Sequence, residues 1–332
     1  MRKKLLSTML VIAMIFCLAV PAMAANTSFS DMPEDYSKAA LEAAVANGLL
    51  TGADGKIMPN DSLTRAQMAA VINRAFGANE QASLVGFSDV ASTAWYYADM
   101  AKAVQMKTFN GSGSSLNPDA AITRQEAFTV LARALNLEAG IAAELAAFAD
   151  SGSVAAWAVG STAAMIKSGY VHGADGKINP TASISRKDFA VLMNNIIKHY
   201  ITASGTVTTL GAGSVMINTP NVTLKGVTVQ GDLIIGDGVG SGDVTLDSVK
   251  VTGKTIVRGG GVNSFVIKGD SELGSIVVSK VNGNVRVSVE GGAKVDVVYI
   301  ADGKDDVVVE GKVAKLEVNA ETPVVVQKAE IA

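Results

Sequence analysis

Three stretches of this 332-residue chain carry the same signals in the same order, and that repetition limits the fold more than anything else in the sequence. Phe29-Ser30-Asp31, Phe87-Ser88-Asp89 and Phe148-Ala149-Asp150 open three units. Leu63-Thr64-Arg65, Ile122-Thr123-Arg124 and Ile184-Ser185-Arg186 follow later in each. Between them lie GADGKIMP (52–59), GSGSSLNP (111–118) and GADGKINP (173–180). A repeat of about 60 residues is one supersecondary unit that cannot bury its apolar face alone, so the three units are expected to pack on one another.

Each unit reads as helix, turn, helix. Leu41, Val45 and Leu49 form one apolar stripe at helical spacing. Asn47-Gly48 suits the end of that helix. The second helix has a start signal: Thr64 with Gln67 and Thr123 with Glu126 fit the capping box, and Ser185 with Asp188 is a weaker form. One residue runs against local physics. Arg65, Arg124 and Arg186 occupy the first helical position, where the positive end of the helix dipole disfavours a cation. Two readings stand side by side. The arginine bridges neighbouring units, or it adds charge to a place where free backbone N–H groups already favour an anion.

The opening Phe-x-Asp, an aromatic shortly after it, the Gly-rich turn ending in Pro and the Thr-Arg-x-Glu-like helix start resemble the S-layer homology (SLH) domain, three times in order. The resemblance implies an all-α pseudo-trimer whose inter-unit grooves bind an anionic secondary cell-wall polymer, typically one carrying a pyruvylated sugar. It implies that Arg65, Arg124 and Arg186 contact the carboxylate, that Asp31, Asp89 and Asp150, the family's opening aspartates, belong to the polymer-binding residues, and that Trp95 and Trp157 line grooves. Tyr36 stands where the other units have tryptophan. Lys56 and Lys177 are expected to add charge at two grooves. The units are expected at 25–85, 86–146 and 147–201, followed by a linker at 202–206.

Composition changes at that linker. Of the aromatics outside the N-terminal segment, fourteen lie between Phe29 and Tyr200, and only Phe265 and Tyr299 lie beyond. Residues 207–332 alternate valines with polar residues, broken by Gly, Asp and Asn. Runs starting at Val222, Val244, Val262, Val285 and Val307 predict a short all-β solenoid of about five coils, with a β-sandwich as the alternative. The multidomain fold is therefore helical first and β second. Asp232, Asp237, Asp243, Asp247, Arg258 and Arg286 are the tail's candidate acids and bases. No Ser-His-Asp set, HExxH or phosphate loop accompanies them. The turns GDGVGSGD (236–243) and DGKDD (302–306) lack EF-hand spacing, so no metal and no cofactor is expected.

Residues 1–24 read as a secretory signal: Arg2, Lys3 and Lys4, then an apolar run from Leu5 to Val20, then Ala22-Met23-Ala24. The only cysteine, Cys17, lies inside it, which excludes disulfides and thiol chemistry from the remainder. Removing three of the 28 basic residues leaves 25 against 31 acidic ones. That balance argues against nucleic acid as a partner, and no later run is long and apolar enough to span a membrane. The expected function is non-catalytic: a secreted surface protein anchored at the cell wall, its tail a structural, S-layer or display element that also self-associates. The alternatives are a wall-anchored carbohydrate-active enzyme and a glycan- or protein-binding adhesin.

Overall fold

The computed structural model describes residues 29–301, 306–320 and 323–331, so the expected signal and most of DGKDD lie outside the described residues. Six helices form the first half: α1 (Lys38–Ala46), α2 (Arg65–Phe76), α3 (Tyr97–Gln105), α4 (Arg124–Ala134), α5 (Val159–Lys167) and α6 (Arg186–Ile196). Helices pair across units. The second helix of one unit lies on the first helix of the next (α2 on α3, α4 on α5), and α6 returns to α1, closing the ring.

A cycle of backbone hydrogen bonds marks the pseudo-threefold axis. Leu63 N–H donates to Ile184 O (3.1 Å), Ile184 to Ile122 (3.0 Å), and Ile122 back to Leu63 (2.9 Å). These three residues, which precede the helix caps, are buried at the centre of the helical core. Thr64 Oγ1 accepts from Gln67 N and Gln67 Oε1 from Thr64 N, so the capping box forms as its sequence requires.

The duplicated GADGKI is a tight hairpin. Ala53 pairs with Lys56, and Ala174 with Lys177. Asp54–Gly55 and Asp175–Gly176 turn at positive φ. Its first glycine has a packing reason as well. A Cβ on Gly52 would fall 2.3 Å from the Phe29 ring, and one on Gly173 would fall 2.6 Å from the Phe148 ring. Six residues on, before Pro, all three units return to the left-handed region: Met58 (φ 54°), Asn117 (φ 50°) and Asn179 (φ 53°). Asparagine tolerates that conformation far better than methionine. Met58→Asn is expected to raise stability by about 1 kcal/mol, read as a higher urea midpoint at unchanged m-value.

The second half is a solenoid. One sheet holds β1 (His199–Ile201), β3 (Val215–Ile217), β6 (Leu233–Ile235), β8 (Lys250–Val257), β10 (Glu272–Val278), β12 (Lys294–Ile300) and β14 (Lys315–Val318), with β5 (Thr228–Val229) beside β8. The other holds β2 (Gly205–Val207), β4 (Val222–Lys225), β7 (Val244–Asp247), β9 (Val266–Lys268), β11 (Val285–Val289), β13 (Val307–Val313) and β15 (Val324–Ile331). Every described pairing is parallel, which excludes the antiparallel sandwich.

Two sequence expectations shift. Val262 is an exposed loop residue, and its strand begins at Val266. The expected linker at 202–206 is the corner of the first coil: α6 passes through extended Ile197 into β1, and Gly205 and Thr206 already pair with Val222 and Thr223.

The helical body does not cap the solenoid's end. It covers one side. Met216, Ile234 and Ile256 are consecutive rungs on β3, β6 and β8, and all three belong to the helical core. Arg258 fastens the contact. It is 4% exposed, and its guanidinium donates to Ala134 O at the end of α4 and to Met106 O after α3. It also pairs with Asp237 through Nε (2.7 Å) and Nη2 (3.1 Å). A cation at two helix C-termini complements both dipoles. Gly77, in left-handed conformation after α2, meets the solenoid backbone so closely that a Cβ there would lie 2.8 Å from Gly238 Cα.

Candidate functional site

Three grooves surround the pseudo-threefold axis, each built from all three units. Trp157 of the third unit, Arg65 of the first and Glu126 of the second line a groove of about 560 Å³, together with Phe109 and Arg133. Tyr36, Arg124 and Asp188 line one of about 550 Å³, with Phe128 and Tyr170. Trp95, Arg186 and Gln67 line one of about 240 Å³, with Arg74 and Leu50. The aromatics stand at the lips and are largely in solvent: Tyr36 68% exposed, Trp95 64%, Trp157 59%. Large exposed aromatics at equivalent positions of a repeat point to a ligand surface. The structure brings both tryptophans to grooves and places Tyr36 at the third.

The arginines do both things the sequence left open. Each Nε donates to a backbone carbonyl of the next unit's loop: Arg65 to Leu116 (2.8 Å), Arg124 to Ile178 (2.7 Å), Arg186 to Ile57 (2.8 Å). That half of the guanidinium is a staple between units, and the remainder faces a groove. The expected free N–H groups at the helix start are absent among the described residues. Arg65 N donates to Ala120 O and Ala66 N to Pro118 O, and the other two helices do the same with the next unit's loop. The third N–H goes to the cap oxygen in α2 and α6. Inter-unit packing has consumed the dipole's donors, so an anion here would meet guanidinium, not backbone.

The aspartates serve structure. Asp31 accepts from Ile57 N (2.7 Å) and Met58 N (2.8 Å), Asp89 from Leu116 N (3.0 Å) and Asn117 N (2.6 Å), and Asp150 from Ile178 N (2.8 Å) and Asn179 N (2.7 Å). Both carboxylate oxygens of each thereby latch the unit's own pre-proline loop. Burial pushes these carboxyls up, but the backbone donors outweigh it and hold all three below the ordinary value. Lys56 and Lys177 sit exposed on the hairpin tips and line none of the three grooves. Their charge acts on Asp31 and Asp150 instead. Sequence reasoning missed Arg74 and Arg133, which lie on the groove walls and donate to Leu49 O and Thr108 O. Their place near the end of the second helix in two units was the available signal.

In the solenoid, five of the six candidate acids and bases are engaged in pairing, and Asp243 contributes its backbone carbonyl to Asn221 N. Asp232 accepts from the Tyr170 hydroxyl and Lys254 N, Asp237 holds Arg258, Asp247 lies 3.8 Å from Lys225, and Arg286 pairs with Glu310. Among the described residues no group of three or more His, Cys, Asp or Glu could hold a metal ion, and no helix is long and apolar enough to cross a membrane.

The family model for the S-layer homology domain matches residues 28–69, 86–128 and 147–190, the segments that carry the latches, hairpins and arginines. The helical half consists of three S-layer homology domains. Among proteins similar to this chain is the surface-layer 125 kDa protein of Lysinibacillus sphaericus, 32% identical over 194 residues, which cover 56% of this chain and 16% of that protein. The S-layer protein EA1 of Bacillus anthracis is 26% identical over 300 residues, 84% of this chain and 34% of that protein. The amylopullulanase of Thermoanaerobacterium thermosulfurigenes is 26% identical over 180 residues, 52% of this chain and 10% of that protein. This chain therefore spans only a minor part of each of them.

Proposed function

We propose that this SLH protein is non-catalytic and is held at the cell wall by an anionic glycan, of the pyruvylated secondary-polymer kind, seated in the grooves of its helical body. A secreted, wall-associated surface location accords with its three SLH domains. The observation that carries the reading is the recurrent pairing of an exposed aromatic lip with an inter-unit arginine. A flat aromatic offers a face to a sugar ring, and guanidinium suits a carboxylate by its bidentate geometry. Two surface-layer proteins and an amylopullulanase are similar to this chain over only 10% to 34% of their own lengths, which fits a module carried by proteins of different kinds. We propose further that the solenoid is a structural or display element and that it takes part in self-association in a surface layer.

The full chain is expected to sediment with purified cell-wall sacculi and to stay in the supernatant once the secondary polymer, or its ketal carboxylate, is removed. Undiminished sedimentation with stripped sacculi would sink the anchoring reading. Release of reducing sugar from wall polysaccharide by the purified chain would favour the enzymatic alternative.

A further inference from the structure

We infer that the three grooves are unequal, and that the one lined by Trp95, Arg186 and Arg74 is the principal carboxylate site because Gln67 stands where the other two grooves hold a carboxylate of the protein. The inference rests on the anchoring reading above and deepens it.

The third residue of each second helix faces the arginine of the preceding groove partner. In the groove of Trp157 it is Glu126. Its Oε1 accepts from Arg65 Nη1 at 2.9 Å, while Oε2 takes the Thr123 N–H (2.8 Å) and hydroxyl (2.7 Å). The carboxylate is fixed by three donors and takes the place an incoming anion would need. In the groove of Tyr36 it is Asp188. It lies 3.9 Å from Arg124 Nη1 and accepts the Tyr36 hydroxyl at 2.6 Å. That contact draws the aromatic lip onto the carboxylate, and partial desolvation of the hydroxyl end, with Asp188 beside it, pushes the phenol of the otherwise exposed Tyr36 up to about 12.

The third groove differs in charge. Gln67 is neutral, and its oxygen turns back to the Thr64 N–H at 3.1 Å. Arg186 donates from Nε to Ile57 O and from Nη2 to Thr51 O, both at 2.8 Å, and makes no ion pair among the described residues. Arg74 lines the same groove with a single carbonyl contact, to Leu49 O at 3.1 Å. The nearest acidic groups are accounted for. Asp31 is latched to its own loop through both oxygens, and the Asp61 carbonyl takes the backbone N–H of Arg186; the two carboxylates reach the guanidinium through their field and not through an ion pair. Two guanidiniums without a carboxylate partner in a half-enclosed groove attract an anion. The Trp157 groove also holds Arg133, so its lining sets two guanidiniums against one carboxylate where the Trp95 groove sets two against none, and an anion entering a groove with a resident carboxylate meets its repulsion.

Calorimetric titration of the full chain with the methyl glycoside of a 4,6-pyruvate-ketal hexose tests this, with the ketal methyl ester as the uncharged control. One principal site is expected, with no heat from the ester. Gln67→Glu should weaken that site at least tenfold. Its fold is secure, because Glu at this position is what the second unit's capping box already uses. Glu126→Gln should add a second site of comparable affinity. An unaltered isotherm for Gln67→Glu, beside normal wild-type binding, overturns the inference and leaves anchoring intact. Equal binding of the ester overturns recognition of the carboxylate. A wild-type chain that binds neither probe and fails to sediment with sacculi brings down the anchoring reading itself.

Discussion

Replacing Arg258 by methionine is expected to lower the free energy of unfolding by about 3–5 kcal/mol, the usual cost of breaking a buried ion pair from one side. Arg258 is sealed between the two domains, and its removal leaves Asp237 without its cation and the last carbonyls of α3 and α4 without their donor. The Phe76 ring, 5.6 Å from the guanidinium, loses its cation as well. Lysine is expected to rescue little, because one ammonium cannot serve Asp237 and two carbonyls at fixed angles. Urea unfolding followed by tryptophan fluorescence, whose reporters Trp95 and Trp157 are both helical-body residues, and by far-ultraviolet dichroism provides the measurement. Both probes should shift together in wild type and separate in the variant. A coincident, unshifted transition would show that the apolar rungs Met216, Ile234 and Ile256 hold the domains without the arginine.

Removing the aspartate latches should have a comparable or larger effect. Each Asp→Ala change strands two backbone donors beside a loop that carries an inter-unit contact, at roughly 1–3 kcal/mol per site. The three sites lie in separate units and should add. The triple variant would then lose roughly 3–9 kcal/mol from a total that is typically about 5–15, and is expected not to fold. The pH dependence follows from the direction of the shifts. The folded carboxyls titrate below their ordinary value of 3.8, so the stability they supply is fully present above that pH and is lost as the pH falls through the lower folded values. Acid unfolding followed by dichroism should thus begin below about pH 4 and shift to higher pH in Asp89→Asn. An acid midpoint indifferent to that substitution would refute the latch.

The repeat made the helical half legible. Caps, hairpins and unit boundaries depend on residues close in sequence, and Thr64 with Gln67 or Asp54 with Gly55 fold by local rules. The roles inside the motif were less legible. The opening aspartates read as ligand residues because the motif gives their position and not their partners, which lie 26 to 29 residues away. The two lysines of GADGKI read as groove charge because a hairpin's sequence does not say which way its tip projects. In the tail, period-two alternation announced strands but not that Arg258, offered as a base, lies under a helical body.

By itself the sequence determined that three like units must pack together and that a valine-rich region of short strands follows, because periodicity and turn chemistry are local properties. Only the tertiary structure decided which groove holds two guanidiniums and no ion pair, because that depends on residues brought together from three different units. It alone explained why VMI and LII are unbroken apolar triplets while later strands alternate: their outward residues, Met216 and Ile234, are buried under the helices. Burial on a second face is a property of the neighbour, and no strand encodes its neighbour.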